Sequence, residues 1–282
     1  MSAVRRIIKR LIIIFVYLAI LAAVGIGFYF LFRTKPTCTD KIQNQGEERV
    51  DCGGPCSRCE ETPIIEDLRI SEKGLIPEES AKYDALVRIT NPNAQFGVAV
   101  FEYAFNLLDE MGNIVGQSRG SSFVLPGQSK YILAFNITTE SKPVSLNFET
   151  GSFKWSRFSE YEEPNIFVYA KEFSLVSGGE PGFAKLKAKI RNQSGYDFRI
   201  IQVRSVVRDA GGNPVAVNQT GLNDVRADEE REINFNWNGA FPADPVSIKI
   251  DIEPEVNVFE SENYIKKHGT AEQYESYNIN NR

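Results

Sequence analysis

The chain has 282 residues, with 32 Lys+Arg against 37 Asp+Glu, one His and four Cys. A formal net charge of −5 argues against nucleic acid or another anionic polymer as its main partner. The first 32 residues hold Arg5, Arg6, Lys9 and Arg10 and no acid, so the remainder carries 28 basic against 37 acidic residues, net −9.

Residues 1–10 read as a basic cytoplasmic stub, and 11–32 as a transmembrane helix. Leu11 to Phe32 carries no charge and would span about 33 Å as a helix, enough for a bilayer core of about 30 Å. Secretory signal peptides have shorter apolar cores and end in small residues. This run ends in Phe28, Tyr29, Phe30 and Phe32, which suits an interfacial aromatic belt and an uncleaved anchor. Four cations precede the run, whereas Arg33, Lys35 and Lys41 follow it with Asp40 between them. That bias predicts a cytoplasmic N-terminus and extracellular residues 33–282. Ala19, Ala23 and Gly27 share one helix face and would let two membrane helices approach closely, as a homo-oligomer or beside a protein partner.

Residues 33–62 form a collar that holds all four cysteines, Cys38, Cys52, Cys56 and Cys59, spaced C-x13-C-x3-C-x2-C. Two disulfides suit an oxidising compartment, with the pairing left open among three choices. A tetrahedral zinc site is the competing reading. Asp40, Asn44, Glu47 and Asp51 add oxygen donors enough to contribute to a calcium site, or they are solvated loop acids. No other cofactor is indicated. Gly53-Gly54-Pro55 lets the backbone turn back sharply between cysteines.

The remaining roughly 200 residues are enough for two domains, and the chain repeats itself near an offset of 100. Val87 to Asn91 resembles Ala188 to Asn192, and Leu107 to Asn113 resembles Val207 to Asn213. Leu125-Pro126-Gly127 aligns with Val225-Arg226-Ala227, Phe135-Asn136 with Phe235-Asn236, and Pro143 to Glu149 with Pro245 to Asp251. Alternating runs such as Ala184, Leu186, Ala188 and Ile190 against Lys185, Lys187, Lys189 and Arg191 are half-buried strands with one wet face. Turns are expected at Asn91-Pro92-Asn93, Asp109 to Asn113, Pro126-Gly127, Gly178-Gly179 and Gly211 to Asn213. The fold class is therefore mainly β: two tandem antiparallel sandwiches, at 63–150 and 165–258. Between them, the linker 151–164 carries Phe153, Trp155, Phe158 and Tyr161, which would either wedge the sandwiches apart or offer a stacking surface. The polar stretch 259–282 reads as a disordered tail.

These patterns resemble known families. Asn91, Leu108-Asp109, Gly112-Asn113, Leu125-Pro126-Gly127 and Phe135 are similar to the FxLYD domains and to the water-stress domains of late-embryogenesis-abundant proteins. The resemblance implies immunoglobulin- or fibronectin-like sandwiches at home in cell envelopes, without catalytic residues. The collar resembles a module of microbial surface proteins through Cys38, Asp40, Asn44, Glu47, Val50, Asp51, Cys52, Gly53, Gly54, Cys56 and Cys59, with Lys41 where that module has Gly. That likeness implies surface display.

Enzymatic chemistry is not indicated. The one histidine, His268, falls in the expected tail, and no nucleophile elbow, phosphate loop, dinucleotide fingerprint or zinc-protease motif occurs. Asn136-Ile-Thr138, Asn192-Gln-Ser194 and Asn218-Gln-Thr220 match the N-glycosylation acceptor pattern. The expected protein is a single-pass cell-surface molecule that presents two sandwiches for binding or as a spacer. Its alternative role is an accessory subunit of an envelope or secretion assembly.

Overall fold

The structure, a computed structural model, describes residues 2–32, 37–59, 64–158, 160–177, 181–242, 244–245, 247–268 and 276–278. Its chain divides into two compact units, Met1–Ile64 and Ile65–Arg282.

In the first unit, helix α1 spans Ser2–Phe32. Its segment Ile8–Tyr29, 22 residues with a mean hydropathy of 2.8, is long and apolar enough to cross a membrane, and its most apolar window is not buried. The helix takes in the predicted stub, because no Gly or Pro interrupts the stretch before Leu11.

The second unit is antiparallel β throughout its sheets. Strands β1 (Arg69–Glu78), β2 (Lys82–Thr90), β3 (Phe96–Leu108), β4 (Ile114–Val124), β5 (Ser129–Thr138), β6 (Ser145–Thr150) and β7 (Lys154–Arg157) make its first half. Its second half holds β8 (Ile166–Leu175), β9 (Ala184–Asn192), β10 (Phe198–Arg208), β11 (Pro214–Val225), β12 (Glu230–Trp237) and β13 (Lys249–Val256). One sheet runs β1-β2-β5, and its counterpart in the second half runs β8-β9-β12. The other pair is β4-β3-β6 and β11-β10-β13. This identical strand order is the repeat seen in the sequence, now as topology.

Hydrogen bonds repeat as well. Asn91, fully buried, donates its amide to the carbonyls of Phe96 and Leu125 at 2.6 and 2.8 Å. Asn192 does the same to Tyr196 and Arg226 at 2.8 and 2.9 Å. Each amide thus ties together two loop carbonyls, one of which, Leu125 or Arg226, also accepts a turn N–H from Gln128 or Glu229. Asp109 and Asp209 each accept the backbone N–H of the Asn four residues on, at 2.8 Å in both turns, while Gly112 and Gly212 supply the positive φ.

Two sequence equivalences need correction. Gly127 (φ 65°) matches Asp228 (φ 59°), not Ala227, because Gln128 and Glu229 cap the two turns alike. Along the following strands, Ile132 pairs with Val87 and Ile233 with Ala188, so Phe135 corresponds to Asn236. Phe135 is 39% exposed whereas Phe235 is buried, the result of a one-residue shift in a period-two strand.

Each half has its own core. Ala85, Val87, Phe101, Phe105, Ile132 and Trp155 are among the residues filling the first. Leu186, Ile190, Ile201, Val203, Phe235 and Trp237 are among those filling the second. A third cluster joins the halves: Ile76, Leu86, Tyr131 and Leu133 from β1, β2 and β5 meet Val206 and Val217 from β10 and β11. Leu86 and Leu133 thus occupy what would be a solvent face in a free sandwich. The halves therefore form one unit rather than beads on a linker. Strand β9 keeps its clean alternation, with Lys187, Lys189 and Arg191 exposed.

The expected linker contributes to these cores. Residues 155–157 pair with β3, Trp155 is fully buried in the first core, and Phe158 enters the second, edge-on to Tyr161 and Phe259. These aromatics are packing residues. Nor is the expected tail without order throughout. A 3-10 turn at Val258–Glu260 leads into helix α2 (Glu262–His268), held by buried Val258 and Tyr264, and β14 (Ser276–Asn278) pairs with β7. Residues 269–275 and 279–282, and the turn expected at Gly178-Gly179, lie outside the described residues.

Candidate functional sites

The cysteine collar closes through two disulfides, Cys38–Cys56 and Cys52–Cys59. This settles the pairing that the spacing left open. It also removes the tetrathiolate zinc reading, since a disulfide sulfur is not a thiolate ligand. Cys38, Cys56 and Glu47 lie within 4.8 Å of one another, but with both sulfurs bonded only one carboxylate remains as a metal donor.

The oxygen donors are arranged as turn staples. Both oxygens of Asp51 accept the N–H of Lys41, at 3.0 and 3.1 Å. Asp40 accepts from the backbone N–H of Thr37 and Ile42 and from the amide of Asn44. The Asn44 amide, followed by the Thr37 N–H, holds the Asp40 carboxyl below the usual carboxylate range. Buried Glu47 accepts the N–H groups of Asn44 and Asp51 at 3.3 and 3.1 Å. Donor hydrogens thus crowd the positions a calcium ion would take, and the set fits a self-stapled loop better than a cation cage. Asn44 Oδ1 stays buried without a partner among the described residues.

Three non-glycine residues here adopt positive φ: Lys41 (62°), Gln45 (45°) and Asp51 (61°). Lys41 therefore takes a left-handed turn conformation although it is not a glycine. Gly54 has no such latitude, because a Cβ there would stand 2.2 Å from the Gly46 carbonyl oxygen.

In the second unit, the seam between the halves carries the densest buried charge. Lys130 and Glu255 are 1% and 4% exposed and form an ion pair, and Arg204, 7% exposed, binds the other oxygen of Glu255. Lys130 also donates to the Phe123 carbonyl at 2.8 Å and lies over the Phe123 ring. Burial pushes the Lys130 ammonium down to about 8, against the pull of Glu255. Burial would raise the Glu255 carboxyl, but Lys130 and Arg204 outweigh it and hold it low. Beside this triad Arg208 bridges Glu72 at 2.7 Å, Asp251 at 2.8 Å and the Tyr131 hydroxyl at 2.7 Å. These bonds tie β1 and β5 to β10 and β13.

Above the triad the seam opens as a groove of about 460 Å³, lined among others by Val100, Tyr103, Phe135, Arg199, Ile200 and Gln202. Val100, Phe135 and Ile200 are 63%, 39% and 41% exposed, so large apolar side chains gather here at the surface. Such a groove can take an apolar segment from a partner.

A cluster around His268 went unread in the sequence. Its Nε2 lies 2.6 Å from the Tyr196 hydroxyl, which donates to Glu162 at 2.7 Å, and Tyr264 stacks against the imidazole. Because the single hydroxyl proton goes to the carboxylate, Nε2 carries the imidazole proton. Nδ1 is buried without a partner among the described residues. The chain Glu162–Tyr196–His268 latches α2 onto the second half. The four-residue spacing of Tyr264 and His268, one helical turn, was its only available signal. Ala19, Ala23 and Gly27 lie together on α1, all exposed within its unit.

No protein-family model matches this chain, and no curated protein is similar to it at a significant level.

Proposed function

We propose that this is a single-pass membrane-anchored surface protein, with its N-terminus in the cytoplasm and residues from the collar onward outside the cell. The observation that carries the reading is the juxtaposition in sequence of an apolar helix and a loop closed by two disulfides. Disulfides persist where the compartment is oxidising, and the basic residues before the helix agree with that orientation. The β unit, immunoglobulin-like in its resemblance, acts as a non-catalytic binding module, with the seam groove as its contact surface for a protein or cell-envelope partner. Fusion of the halves supports this role, since a groove walled by both needs a fixed geometry. Pull-down from solubilised membranes with the wild type and an Ile200→Glu variant tests the binding role. Partners lost with Ile200→Glu support the groove, and identical partners refute it.

A second reading is an accessory subunit of an envelope assembly, held laterally through Ala19, Ala23 and Gly27. It rests on the spacing of those small residues along one helix face, and it predicts partners sensitive to Ala23→Leu and not to Ile200→Glu.

A further inference from the structure

Three acceptor triplets look alike in sequence, and the fold separates them. N-linked glycosylation needs a side-chain amide that can reach the transferase and a hydroxyl two residues on. Asn192 has neither. It is 0% exposed, its amide is held by the carbonyls of Tyr196 and Arg226, and the Ser194 hydroxyl is bonded back to its Oδ1. Asn218 is half-buried, with its amide donated to the Asn236 carbonyl at 2.7 Å.

Asn136 differs in every respect. Asn136 and Thr138 are both exposed and flank Ile137, which is 4% exposed and anchors the strand beneath them. The Asn136 carboxamide is bound to no other described residue. Its backbone sits at φ 53° where the β2–β5 register shifts, and Asp84 accepts its N–H at 2.8 Å, so the kink is fixed and lifts the strand locally. Strand β5 pairs only with β2 among the described strands.

We propose that Asn136 is an N-glycosylation site of this protein, and that Asn192 and Asn218 are not modified in the folded chain. The donor is an oligosaccharide carried on a lipid pyrophosphate. Asn136 Nδ2 bonds to the sugar C1, the C1–O bond breaks, the lipid pyrophosphate leaves with the electron pair, and a base of the transferase takes the amide proton. The glycan would stand beside Phe135, at one wall of the seam groove. In cells the modification rests on the outside placement of the β unit argued above.

Two arms test it. In the first, purified folded full-length protein in detergent is treated with an oligosaccharyltransferase and lipid-pyrophosphate-linked oligosaccharide, and the glycopeptides are mapped by mass. Asn136 should carry the glycan, and both Asn136→Gln and Thr138→Ala should abolish the mass shift. A bare Asn136, or glycan on folded Asn192 or Asn218, overturns the proposal. In the second arm, the chain is expressed in a glycosylating host with a control acceptor triplet appended after Arg282. A modified control with a bare Asn136 also overturns it. If both are bare while the first arm succeeds, the acceptor assignment stands and the membrane orientation is what fails.

Discussion

Replacing Glu255 by Gln should strip the seam of its only fully buried anion among the described residues while preserving shape. Lys130 and Arg204 would then face each other at 1% and 7% exposure with no carboxylate between them. Removing one partner of such a buried set costs about 3–5 kcal/mol. Burial already pulls Lys130 down to about 8, so it can shed its proton and relieve part of the penalty, which favours the lower end, about 3 kcal/mol. For a unit of this size the midpoint should fall by about 6–12 °C. Thermal unfolding of the full chain in detergent can be read from both halves at once, because Trp155 lies in the first core and Trp237 in the second. Single-tryptophan variants made with Trp155→Phe and Trp237→Phe report each core alone. Both midpoints should drop together. The combined variant Lys130→Met, Arg204→Met, Glu255→Leu should recover most of the loss, since well-packed apolar residues replace buried charge at little cost. A midpoint unchanged by Glu255→Gln, or a drop in one core only, would refute the reasoning that this triad binds the halves.

Other consequences follow from single sites. Asn192→Ala removes the side-chain donor from the buried loop at Tyr196, while the Arg226 carbonyl keeps the Glu229 N–H, and should cost about 1–3 kcal/mol in denaturant unfolding, whereas Asn218→Ala should cost less. Mass mapping of unreduced protein should give Cys38–Cys56 and Cys52–Cys59. Gly54→Ala, which places a Cβ against the Gly46 carbonyl, should yield mispaired collars on refolding. Lys130 has a folded-state value lowered to about 8 from 10.5, so the unfolded chain binds more protons between those limits. Its penalty is full below pH 8 and fades as the pH rises to 10.5, so Lys130→Met should abolish a rise in stability over that window.

Much of this architecture is written locally in the chain. The apolar run predicted α1, the alternation in Ala184 to Arg191 predicted β9, and the Asp-x3-Asn turns announced themselves in both copies. What escaped is what depends on distant partners. Leu86 and Lys130 read as ordinary strand residues, and only the docking of β10 and β13 against β2 and β5 buries them. Asn192 reads as a glycosylation acceptor until its amide is seen holding two carbonyls. His268 looked like part of a polar tail because the helix that positions it is only seven residues long, too short for its period to stand out. The Phe135–Phe235 match failed because residue likeness cannot register a one-residue shift that a β-ladder makes plain.

The central claim is orientation, and protease added to intact cells tests it directly. With an epitope tag after Arg282, the predicted result is loss of the tag from intact cells and survival of a membrane-embedded N-terminal fragment containing Ile8–Tyr29. A tag that stays protected until the membrane is opened would place the β unit inside and contradict the account.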